Sequence, residues 1–127
     1  MMKHTILILF LFLSLLCHGQ SYKFFTTDRE LSSSLINKIY QDRNGMIWIA
    51  TEDGLNRYDG AKFITYKHDP ENEYSLCHNY VRVLYEDSKG RLFVGTYNGI
   101  QLYDPETDSF SARAQWEDGK TFDSNIM

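Results

Sequence analysis

The sequence predicts an all-β fold: a partial β-propeller of two four-stranded antiparallel blades and the start of a third, behind an N-terminal signal peptide. Three observations carry this expectation. A block of 24 residues recurs at an offset of 45. Each copy divides into short apolar runs separated by turns bearing Asp, Asn and Gly. Beyond residue 20, no stretch places apolar residues at helical spacing for long enough to make a helix.

The opening segment has a different composition from the rest. Met1-Met2-Lys3-His4 makes a short positive start, and Thr5 to Cys17 is an almost unbroken run of Ile, Leu and Phe. A bilayer span takes about twenty such residues, so the run suits the core of a signal peptide. Cys17-His18-Gly19 offers small residues to a signal peptidase, which places cleavage after Gly19. Lipid attachment at Cys17 is the rival reading, weakened by the large Leu16 before it. Once the signal is removed, Cys77 is the only cysteine left, so the exported fold must hold by packing and not by an internal disulfide.

The repeat aligns Ile36 to Asp59 with Val81 to Asp104. Identities fall at Tyr40/Tyr85, Asp42/Asp87, Gly45/Gly90, Thr51/Thr96, Gly54/Gly99, Tyr58/Tyr103 and Asp59/Asp104. Chance at ordinary composition gives roughly one or two such matches. Several remaining pairs exchange like for like, among them Ile36/Val81, Trp48/Phe93 and Leu55/Ile100.

Element by element, Ile36 to Tyr40 reads as a strand, and Asp42-Arg-Asn-Gly45 as a turn in which Asp caps its own backbone. Ile47 to Thr51 is near-continuously apolar, as expected of a strand covered on both faces. Asp53-Gly54 turns the chain into Leu55 to Tyr58, Asp59-Gly60 turns it again, and Phe63 to Tyr66 makes an outer strand. The second copy repeats the pattern through Asp104-Pro105 to an outer strand near Phe110 to Arg113. Four short strands every 45 residues is the period of a propeller blade. A β-sandwich is the structural alternative, but it does not require near-copies of one four-strand unit.

The ends extend the same picture. Tyr22 to Phe25 resembles an outer strand, and Ser124-Asn-Ile-Met127 resembles the lead-in to each copy. The expected organisation is therefore a signal peptide at 1–19, an N-terminal strand and linker at 20–33, blade 1 at 34–75, blade 2 at 76–122, and a third blade beginning at 123–127. The chain reads as cut short within that blade.

Asp42, Gly45, Trp48, Ile49, Ala50, Thr51, Gly54, Leu55, Tyr58 and Asp59 together resemble the two-component regulator propeller repeat. The second copy departs from that pattern at Phe93, which keeps an aromatic ring. Leu31-Ser-Ser-Ser34 looks like the family's inter-blade linker. The resemblance implies the periplasmic sensor region of a hybrid two-component histidine kinase whose parent sits in the inner membrane. An immunoglobulin-like domain, a transmembrane helix and a kinase would follow downstream. It also implies a glycan breakdown product as the signal, so an oligosaccharide is the expected ligand. The rest of the parent propeller and a homodimer partner are the expected protein contacts. Membrane contact is expected only through the downstream region. A structural or protein-interaction propeller with no ligand site of its own is the alternative.

Charge and chemistry narrow the function further. Thirteen basic residues against 17 acidic give a formal net charge of −4, which argues against nucleic-acid binding by this segment. No catalytic residues, cofactor or metal are expected. Asp42, Asp87, Asp59 and Asp104 recur at fixed places before turns, which marks them as turn caps, not unique acids. Cys77 beside His78 supplies too few ligands for zinc. Trp48 and Phe93 could stack on sugars but fit the core better. Ligand contact is expected where the copies differ in or beside loops. The candidates are Glu52 and Asp53 in one copy, Tyr97 and Asn98 in the other, and Arg57, which stands opposite Leu102. Trp116 is a further aromatic of this kind.

Overall fold

The computed structural model describes residues 2–14, 19–27 and 30–111. A 13-residue helix, α1 (Met2–Ser14), is followed by eight strands. These are β1 (Ile36–Gln41), β2 (Ile47–Thr51), β3 (Gly54–Tyr58), β4 (Phe63–Tyr66), β5 (Val81–Glu86), β6 (Leu92–Thr96), β7 (Gly99–Asp104) and β8 (Ser109–Phe110). They form two antiparallel meanders, β1-β2-β3-β4 and β5-β6-β7-β8. Among the described residues no helix is long and apolar enough to cross a membrane.

The turn chemistry explains why the strands start where they do. Asp42 Oδ1 accepts the backbone N–H of Asn44 at 2.9 Å and of Met46 at 3.0 Å, which closes the β1–β2 turn. Gly45 then takes φ 84°, a region costly for other residues. Asp42 Oδ2 is left to accept the Trp48 indole N–H at 2.8 Å. Blade 2 builds the same turn differently. Asp87 Oδ1 accepts Lys89 and Arg91 N–H, but residue 93 is Phe and has no indole, so the Arg91 guanidinium donates to Asp87 Oδ2 at 2.6 Å and lies over the Phe93 ring. Asp59 Oδ1 caps the β3–β4 turn by accepting Ala61 and Lys62 N–H, and Asp104 caps the β7–β8 turn by accepting Glu106 N–H and the Thr107 hydroxyl.

The core lies in the seam between the blades. Trp48, Ala50 and Leu55 of blade 1 pack with Leu76, Val81, Leu84, Val94, Tyr103 and Phe110. Each large side chain so buried contributes roughly 1.5–3 kcal/mol. β2 is covered on both faces, as its apolar run requires: Trp48 to Thr51 are all buried. The repeat offers an internal comparison for the opposite face of blade 1. Ile36 is 43% exposed and Ile39 59%, whereas their counterparts Val81 and Leu84, packed against blade 1, are 0% and 5%.

Tyr22 to Phe25 forms no strand, contrary to expectation. A strand needs a backbone ladder partner; here the segment is held by side chains instead. Phe25 sets its ring 5.0 Å from Tyr58 and 4.9 Å from Phe63, and Lys23 Nζ donates to the Tyr58 hydroxyl at 3.3 Å. The outer strand of blade 2 comprises only Ser109 and Phe110 in its described part. Arg113, Trp116, Cys17 and the third-blade start at 123–127 lie outside the described residues.

Candidate functional site

In a four-stranded meander the β2–β3 turn and the connection to the next blade emerge at one end. The β1–β2 and β3–β4 turns emerge at the other. The first end therefore gathers Glu52-Asp53, Tyr97-Asn98 and the linker over 67–80. Backbone bonds tie them together: Gly54 N–H donates to Asn79 O at 2.7 Å, and Tyr97 N–H to Tyr80 O at 3.2 Å. Gly54 also lets the end of β4 approach, since at φ 128° a Cβ would stand 2.9 Å from Tyr66 O.

The side chains at this rim form one patch spanning both blades. Tyr80 donates its hydroxyl to Glu52 Oε1 at 3.2 Å. The Tyr80 and Tyr97 rings lie 4.4 Å apart at 44°, and His78 meets Tyr97 edge-on at 6.0 Å. The Arg82 guanidinium lies 5.5 Å from the Tyr97 centroid. Desolvation, with the Glu52 hydrogen bond second, raises the Tyr80 phenol above its ordinary range, so it stays a donor. Asp53 is occupied by Lys67 at 2.6 Å. Asn98 holds the linker by donating to Cys77 O at 3.3 Å.

Arg57 does not join this patch. It sits on β3 opposite Trp48, inside the seam, and not in a loop. Its guanidinium lies 5.6–5.8 Å from the centroids of Trp48, Tyr66 and Tyr103. It pairs with Asp108 Oδ1 at 2.9 Å and donates to the Tyr103 hydroxyl. Tyr66 and Tyr103 donate to the same Asp108 oxygen at 2.6 and 2.7 Å. Partial burial raises Asp108, but the two phenols and the guanidinium outweigh it and hold its carboxyl below the usual range. Burial pushes the Tyr103 phenol up to about 12.

Of the sequence-predicted residues, then, Glu52, Asp53, Tyr97 and Asn98 share the rim, and Arg57 is a seam residue. Trp48 is buried in the core, not presented to a sugar. His78, Tyr80 and Arg82 are rim residues the sequence reading missed. The signal was present: they stand opposite Ser33, Leu35 and Asn37 one repeat earlier. Cys77 points its Sγ at Thr96 Oγ1, 3.1 Å away, and His78 Nδ1 accepts Tyr80 N–H. Among the described residues no group of three His, Cys, Asp or Glu is placed to hold a metal. Rings, a carboxylate and a guanidinium side by side are the kinds of group that bind polar ligands.

Tandem four-stranded blades packed face to face define the class: a β-propeller segment. Two stretches, 30–53 and 75–98, one leading into each blade, match the family model described as two component regulator propeller. The chain is 40% identical over 73 residues to Histidine kinase P4 of Formosa agariphila, covering 54% of this chain and 5% of that protein. It is also similar to the extracellular domain of the hybrid two component system BT3049 from B. thetaiotaomicron. That likeness has a TM-score of 0.62 and 34% identity, over 71% of this chain and 13% of that one. The chain thus spans a small part of each relative's length.

Proposed function

We propose that the chain is part of the exported, signal-receiving propeller of a hybrid two-component histidine kinase, acting by binding a glycan breakdown product in the periplasm. The observation that carries this reading is the likeness to an extracellular domain of such a system over most of the described blades. The rim supports it: the positions that differ between the two copies, Glu52 and Tyr97, meet at one accessible surface instead of scattering. Kinase chemistry would belong to other segments, and this segment's part is recognition.

The test is an in-frame deletion of the codons for residues 30–111 in the chromosomal gene. Transcription of polysaccharide-utilisation genes should then stop responding to added glycan. An unaltered response would sink the reading.

A further inference from the structure

Four arginines lie among the described residues, and three of them hold an acid. Arg43 pairs with Glu86, Arg57 with Asp108 and Arg91 with Asp87. Arg82 differs from these, because among the described residues its guanidinium meets the Tyr97 ring and no carboxylate. Its counterpart in blade 1, Asn37, is occupied by a hydrogen bond to Val81 O at 2.8 Å. Tyr97 in turn is 63% exposed although it is a large aromatic at a turn tip where blade 1 carries Glu52.

From these relationships we infer that the rim formed by Tyr80, Tyr97, Arg82 and Glu52 binds a saccharide bearing an anionic substituent, a carboxylate or a sulfate ester. The inference rests on the function proposed above and names the ligand class and the site. A pyranose offers an apolar C–H face to the paired tyrosine rings and hydroxyls at its edge. A guanidinium stacked on a ring is held in place and weakly hydrated, so little freedom is lost when an oxyanion takes its fork of N–H groups. Glu52, bound to the Tyr80 hydroxyl at the far side, accepts hydrogen bonds from hydroxyls and repels anions. The two charges therefore orient the ligand, with its anionic end toward Arg82 and its neutral end toward Glu52.

Titration calorimetry of the parent protein's complete exported region with three probes tests this: tri-galacturonate, its methyl ester and a sulfated trisaccharide. The acid should bind at least tenfold tighter than the ester, with a preference that weakens as salt rises. Arg82→Gln should erase that preference, and Tyr97→Ala should weaken acid and ester alike, both variants keeping the parent's thermal transition. Tight binding of only the sulfated probe would name sulfate as the anion and leave the site standing. Equal affinity for acid and ester would overturn the inference while the broader sensor reading survived. Acid binding unchanged in both variants would overturn the site. Absence of binding by every saccharide would count against both readings.

Discussion

Cys77 stands in blade 2 where Ser32 stands in blade 1. Ser32 Oγ lies 2.9 Å from Thr51 Oγ1, and Cys77 Sγ lies 3.1 Å from Thr96 Oγ1, in each case at the entry to the blade. The backbone agrees, since Ser32 N–H donates to Asn56 Oδ1 at 3.1 Å and Cys77 N–H to Gln101 Oε1 at 2.8 Å. The Cys77 thiol is therefore a linker group in a repeated clasp, and Cys77→Ser should change stability by less than about 0.5 kcal/mol. Ser32→Ala should cost about 1–2 kcal/mol, because Ser32 Oγ also accepts from the buried Asn56 amide at 2.8 Å. Urea unfolding of both variants measures the contrast, and a large loss in Cys77→Ser would refute the equivalence.

The two turn solutions should be exchangeable only as sets. Trp48→Phe removes the indole donor from Asp42 Oδ2 and should cost about 1–3 kcal/mol. Met46→Arg alone places a guanidinium where blade 2 has Arg91, beside a carboxylate that is already satisfied. Combined, the two substitutions rebuild the arrangement of Arg91, Asp87 and Phe93. The double variant should be more stable than the sum of the singles by about 1 kcal/mol. Simple additivity in a double-mutant cycle would count against this account.

Arg57 should report on stability and not on ligand. Arg57→Lys keeps the charge but loses the planar contact with three rings, and about 1–2 kcal/mol of seam stability should go with it. Saccharide affinity measured below the transition should stay within twofold of the parent. A selective loss of affinity with stability intact would place Arg57 in the site after all.

The seam also sets two limits on pH. The Asp108 carboxyl is lower in the folded chain than the unfolded value of about 3.9, so its contribution is present above that pH and is lost as pH falls through the folded value. Asp108 is nearly half exposed, so screening holds this to less than about 1 kcal/mol. Tyr103 runs the other way. Raised to about 12 against an unfolded value of about 10, it contributes fully below pH 10 and loses that contribution as pH rises through 12. Thermal melts of Asp108→Asn should show a flatter acid limb, and those of Tyr103→Phe a flatter alkaline one. Unchanged limbs would mean that the titrating groups lie elsewhere.

The blades were legible in the sequence because turn chemistry is local. Asp42 and Gly45 announce their hairpin within four residues, and the 45-residue offset repeats the same signal at Asp87 and Gly90. The candidate site was half legible. Comparing copies flags any position freed from blade architecture, but it does not separate a rim residue such as Tyr97 from a seam residue such as Arg57. That distinction depends on which side chains of the neighbouring blade stand opposite, and a single repeat does not contain them. Tyr80 was hidden for a related reason: it reads as the lead-in to β5, and only the juxtaposition with Glu52 of blade 1 gives it another role. Phe25 misled because its aromatic, β-prone neighbourhood fits an outer strand, while a strand also needs a ladder partner that local sequence does not reveal.

The contrast of Ile36 and Ile39 with Val81 and Leu84 shows what a neighbouring blade does for an inner strand. Blade 1 precedes blade 2 in the chain, so its Trp48 face is synthesised before Val81 and Leu84. β5 therefore has its packing partner ahead of it in the order of synthesis. Domains generally fold in the order of synthesis, and here that order would shelter the inner strand of blade 2 as it appears.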